Sequence, residues 1–110
     1  MSLTLRRGND KTWEITVKNK ITGATVDITG CTLTMTVRSN INSAIFWQDD
    51  FTLTTPLLGV AEIEIPAAIT EALANASYEY IYDVEIVKTN TKTETLVVGK
   101  FIILPVITHS

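Results

Sequence analysis

The sequence predicts an all-β fold, an immunoglobulin-like antiparallel β-sandwich of about seven strands with one short helix. Three observations predict it. Apolar and polar residues alternate along most of the chain, the period at which side chains point to opposite faces of a strand. Thr, Val and Ile, which suit a pleated backbone, dominate the composition. Turn residues break the alternation at short intervals, too short for repeated right-handed crossovers, so most strand pairs should be antiparallel. The 110 residues, 45% apolar and 19% charged, fit a single domain over 1–110 with a real core.

Each element follows from its local pattern. In KTWEITVKN, Trp13, Ile15 and Val17 share one face, with Thr12, Glu14, Thr16 and Lys18 opposite. Gly23 and Gly30 mark turns around a short extended piece. CTLTMTVRS is the next strand, with Cys31, Leu33, Met35 and Val37 on one face and Thr32, Thr34, Thr36 and Arg38 on the other. Asn40, Asn42 and Ser43 predict a loop. Ile45 to Leu53 then reads as one strand or two short pieces, ended by Pro56 and Gly59. In VAEIEIP, Ile63 and Ile65 oppose Glu62 and Glu64.

PAAITEALANA is the one helical candidate, about two to three turns long. Pro66 opens it, and Ile69 and Leu73 are placed to face a sheet. YEYIYDVEIV follows, with Tyr78, Tyr80, Tyr82, Val84 and Ile86 on one face and Glu79, Asp83 and Glu85 on the other. The first face reads as core with a hydroxyl at its rim, where a tyrosine can reach a backbone group, and the acids read as a solvated face. A polar turn, TNTKT, leads to ETLVVGKFIIL, which Pro105 ends.

Composition and spacing argue against several chemistries. The net charge of −3 and a lone basic pair, Arg6 and Arg7, which reads as solvated, argue against nucleic acid as a partner. Cys31 is the only cysteine, so no internal disulfide and no four-ligand structural zinc site can form, and it reads as a small core residue. His109, the only histidine, is the penultimate residue, where neither a partner nor a packed environment would hold it for catalysis, and it reads as part of a tail. The acid pairs Asp49 with Asp50, Glu62 with Glu64, and Asp83 with Glu85 lie in strand segments among apolar residues, which places them on a solvent face rather than in the cleft that glycoside hydrolysis requires. No loop carries calcium-type spacing and no glycine run forms a phosphate cradle. The expectation is a non-enzyme without cofactor or metal. MSLTLRRGND lacks the apolar core of a signal peptide, and no apolar run approaches the roughly 20 residues of a membrane helix, so the chain is expected to be soluble, made in a cytoplasm and without a membrane partner.

Two features read as interaction surfaces. In the last strand Leu96, Val98, Ile102 and Leu104 share a face with Lys100, while Val97, Phe101 and Ile103 share the other with Gly99. Both faces are apolar, so the strand is either central in the sandwich or covered on its outer face, by a neighbouring subunit, by the short helix or by a terminal arm. Phe46 and Trp47 are adjacent, so on a regular strand they face opposite ways and one of them would be exposed. An exposed aromatic pair, Trp47 with Phe46 or Tyr78, would suit the alternative of a carbohydrate-binding module.

The order of these segments is itself informative. LRRGNDKTWEITV, TVDITGCTLTMTVRS, GVAEIEIPAAIT, YEYIYDVEIV and GKFIILPVIT together cover nearly the whole chain. They resemble the small β-sandwich structural proteins of tailed bacteriophages and prophages, in particular the N-terminal domain of baseplate upper proteins. Two departures stand out: NAS precedes Tyr78 where members often have a glycine, and the chain stops at Ser110 where members continue into a long C-terminal region. The resemblance implies a virion structural or adaptor protein of the tail or baseplate. Such a protein would be assembled in the bacterial host cytoplasm and act through contacts with other virion proteins and with copies of itself. It implies no catalytic residues.

Overall fold

A computed structural model of the chain describes residues 2–40, 44–89 and 92–105. The loop expected at Asn42 and Ser43 and the tail reading of His109 lie outside these residues, as does part of the turn expected in TNTKT.

The described strands are β1 (Ser2–Arg6), β2 (Lys11–Thr16), β3 (Thr32–Arg38), β4 (Ile45–Asp50), β5 (Thr52–Thr55), β6 (Val60–Ile65), β7 (Tyr78–Val87) and β8 (Thr93–Leu104). A five-stranded sheet has the order β1-β8-β7-β3-β4 and a three-stranded sheet the order β2-β6-β5. The predicted sandwich is therefore present, with one short helix, α1 (Ala67–Glu71), between β6 and β7.

The core lies between the inner faces, as period-2 patterning dictates. The larger sheet contributes Leu33, Met35 and Val37 from β3, Tyr82, Val84 and Ile86 from β7, and Phe101 and Ile103 from β8. The smaller sheet contributes Ala61, Ile63 and Ile65, with Trp13 and Ile15 packed against them. Phe51 is buried between β4 and β5, so Ile45 to Leu53 is two pieces: the chain leaves the larger sheet at Asp50 and joins the smaller at Thr52. Each such side chain taken fully out of water contributes about 1.5–3 kcal/mol.

Three features depart from the sequence reading. β1 is an additional strand, and it pairs parallel to β8, with Leu3 opposite Phe101 and Leu5 opposite Ile103. The connection between these two strands is almost the whole domain, so the restriction that makes short connections antiparallel does not apply. α1 is shorter than the two to three turns expected. Pro66 supplies no side-chain cap, and the Ala67 N–H donates instead to Asp10 at 2.7 Å, across the fold. Arg7 is not merely solvated: its guanidinium donates to the carbonyls of Leu73 at 2.7 Å and Glu71 at 2.9 Å, and the neighbouring Gly8 N–H donates to the Thr70 hydroxyl at 2.8 Å. These bonds tie α1 to the β1–β2 turn, where Ile69 and Leu73 pack against the core.

The connection from β2 to β3 is held by individual bonds rather than by a strand, some within it and some to the turn before β6, where the Val17 N–H donates to the Gly59 carbonyl at 2.8 Å and the Ile28 N–H to the Pro56 carbonyl at 2.9 Å. Lys18 and Thr25 form an isolated bridge, and the Asp27 carboxylate accepts from the Thr29 hydroxyl at 2.6 Å and its N–H at 2.9 Å. Those two bonds, the side-chain one first, hold the Asp27 carboxyl below its ordinary pKa.

Candidate interaction surfaces

The outer face of β7 and β8 is built by strict alternation over most of its length. With Phe101 and Ile103 turned inward, Val98, Lys100, Ile102 and Leu104 turn outward. The facing positions on β7 are Asp83, Ile81 and Glu79. Val98 is 63% exposed, and Ile102 and Leu104 are half-buried. Lys100 pairs with Glu79 at 3.1 Å in the middle of this face. The surface is thus a mosaic of apolar side chains and charges, with no described element of the chain over it. α1 cannot serve as its cover, because Ile69 and Leu73 are already packed against the core.

Leu96 does not belong to that face. The register between β7 and β8 shifts between Val84 and Glu85: Val84 faces Val97, and Glu85 faces Thr95. Leu96 is the extra residue of this β-bulge, and it packs with Val97 against the core side. A second register shift does the same for the aromatic pair. Val37 faces Trp47 but Arg38 faces Ile45, which leaves Phe46 as the extra residue. Phe46 and Trp47 are both half-buried and both pack against the core, rather than pointing opposite ways.

Phe46 meets Tyr80 edge-on, with ring centroids 5.0 Å apart, and Tyr80 meets Tyr78 at 5.8 Å and an interplanar angle of 56°. The Tyr78 hydroxyl donates to the Ala74 carbonyl at 3.0 Å, as expected of a rim tyrosine. Phe46, Tyr80 and Tyr78 thus form a run of mutually tilted rings rather than a coplanar stack.

A third surface escaped the sequence reading. Three strands cannot cover five, and at the corner away from α1 the smaller sheet leaves a groove of about 750 Å³. Its walls are Trp13, Ile15, Val17, Val26, Leu96 and Val97, every one of them half-buried. Lys18 and Lys20 stand on its rim, as do Lys88 and Glu94, which pair with each other at 3.0 Å. The only local signal was that Trp13, Ile15 and Val17 form an apolar face on a strand that the fold then places at a sheet edge.

The acid pairs do not converge on a cleft. Asp50 accepts from the Thr34 hydroxyl at 2.7 Å, Glu85 and Glu64 are exposed, and Asp83 is half-buried on the outer face. Among the described residues no three His, Cys, Asp or Glu side chains come together as metal ligands, and no helix is long and apolar enough to cross a membrane. Comparison with known proteins returns no matching family model and no matching curated relative.

Proposed function

We propose that the chain is a non-catalytic structural or adaptor module that works through protein–protein contacts, of the kind found in the tail or baseplate of a phage or prophage virion. The virion class rests on the order of sequence segments that resembles the baseplate sandwich proteins. The mode of action rests on one observation: the outer face of β8 keeps Val98 63% exposed beside half-buried Ile102 and Leu104. Apolar side chains held on a rigid strand and interleaved with charges give a partner both contact area and register. A second copy of the chain, or another virion protein assembled with it in the host cytoplasm, is the occupant this reading requires.

The test is self-association. Sedimentation velocity on the wild type should show a concentration-dependent oligomer. Val98→Lys, a change at an exposed position that leaves the core alone, should weaken that oligomer by about tenfold or more. A wild type that stays monomeric at the highest soluble concentration counts against the self-associating form of this reading, as does an oligomer indifferent to Val98→Lys.

A further inference from the structure

The groove between the sheets is bordered by two strand edges with free backbone groups. β8 has β7 on one side from Thr93 to Ile103, interrupted only by the bulge at Leu96, but β1 covers its other side only from Lys100 to Leu104. Among the described residues nothing pairs with Thr93–Gly99 on that side. β2 is the edge of the smaller sheet, hydrogen-bonded to β6 alone. An unpaired edge is a template for another strand. Here it runs beside an apolar wall, because the bulge turns Leu96 inward next to Val97.

The rim adds a sign. Lys88 is neutralised by Glu94, whereas Lys18 and Lys20 form no ion pair with a carboxylate among the described residues. Glu14 also lines the groove, so its three lysines stand against two glutamates and a small positive excess remains. The groove therefore presents hydrogen-bonding groups along one side, apolar side chains at its base and a slight excess of positive charge at its mouth.

We propose that this corner of the sandwich accepts an extended segment of a partner protein by strand addition. The segment pairs with Thr93–Gly99, sinks alternate apolar side chains against Ile15, Val17, Leu96 and Val97, and brings a carboxylate to Lys18 and Lys20. Period-2 geometry suits this occupant: a strand laid on the free edge directs every second side chain into the groove and the others to solvent. A helix would leave the edge unpaired, and a small apolar ligand would make no use of either the edge or the lysines. The proposal rests on the reading of the chain as a protein-contact module and names a partner chemistry for it, at a surface separate from the outer face of β8.

The test uses a synthetic peptide of alternating valine and serine with a free C-terminal carboxylate, and backbone amide exchange as the readout. Binding should slow exchange within Thr93–Gly99. Amidating the peptide, or the double change Lys18→Glu with Lys20→Glu, should weaken binding by about fivefold, the size expected of exposed ion pairs. Three results would overturn the proposal: no slowing at millimolar peptide, slowing that ignores both charge changes, or slowing at this edge in the protein alone as its concentration rises, which would assign the groove to a second copy. Failure here with a Val98-dependent oligomer intact removes this site and leaves the structural-module reading standing. Success here in a protein that never self-associates leaves this site standing and narrows that reading to contacts with other proteins.

Discussion

Tyr82 is the residue on which the interior is least settled. Its side chain is 2% exposed and stands edge-on to Trp13 with ring centroids 5.4 Å apart, but its hydroxyl has no hydrogen-bond partner among the described residues. Burial desolvates the phenolate and raises the Tyr82 pKa above its ordinary value, so stability falls as pH rises past the value for a free tyrosine. Tyr82→Phe keeps the ring and deletes the unanswered hydroxyl. It should stabilise the protein by about 1 kcal/mol, read as a higher denaturant midpoint at unchanged slope. A lower midpoint would mean that the hydroxyl is bonded after all. The sequence placed Tyr82 on the apolar face of its strand, because alternation decides faces. It could not foretell the fate of the hydroxyl, which depends on side chains brought in from other strands.

At the scale of elements, one turn controls how the sheets meet. Gly59 has φ of 73° and follows the 3-10 turn Pro56–Leu58, so its N–H donates back to Pro56 at 3.1 Å while its carbonyl accepts from the Val17 N–H at 2.8 Å. A Cβ at this position would lie 2.6 Å from the Val17 carbonyl oxygen and 2.7 Å from that of Val26. Backbone atoms cannot step aside as a flexible side chain can. Gly59→Ala should therefore destabilise by at least about 2 kcal/mol, combining left-handed strain with the clash. An equilibrium denaturation curve that matches the wild type would refute this. Gly59 was legible as a break between strands, but not as the point where the 17–26 connection closes against the smaller sheet. The two bulges were less legible still. One inserted residue flips every later side chain relative to strict alternation, and neither Phe46 nor Leu96 carries a glycine or other local mark of insertion. The aromatic pair and the face of Leu96 were misread for that reason, whereas Val98, Ile102 and Leu104, on the regular side of the bulge, were placed correctly.

For the molecule as a whole, the parallel pairing of β1 with β8 lays the first described strand beside the last. Leu3 and Leu5 are 6% and 5% exposed and lie opposite Phe101 and Ile103, so β1 completes the core although it was invisible as a strand. Its brevity, and a partner at the far end of the chain, hid it: local spacing shows that Leu3 and Leu5 alternate, not what they alternate against. Leu5→Ala should cost about 2–4 kcal/mol and should raise amide exchange at Phe101 and Ile103 more than on β3. An equal rise across both strands would show that β1 is no separate closure but part of one cooperative unit. The direction of this pairing has a mechanical meaning. Ser2 sits beside Lys100, and Arg6 beside Leu104. Opposite pulls on Ser2 and Leu104 slide β1 along β8 rather than peel it away, so the load falls on all the bonds of the pair together instead of one after another. A module anchored by its two ends would thus bear tension in shear, the stiffer of the two ways to load a sheet.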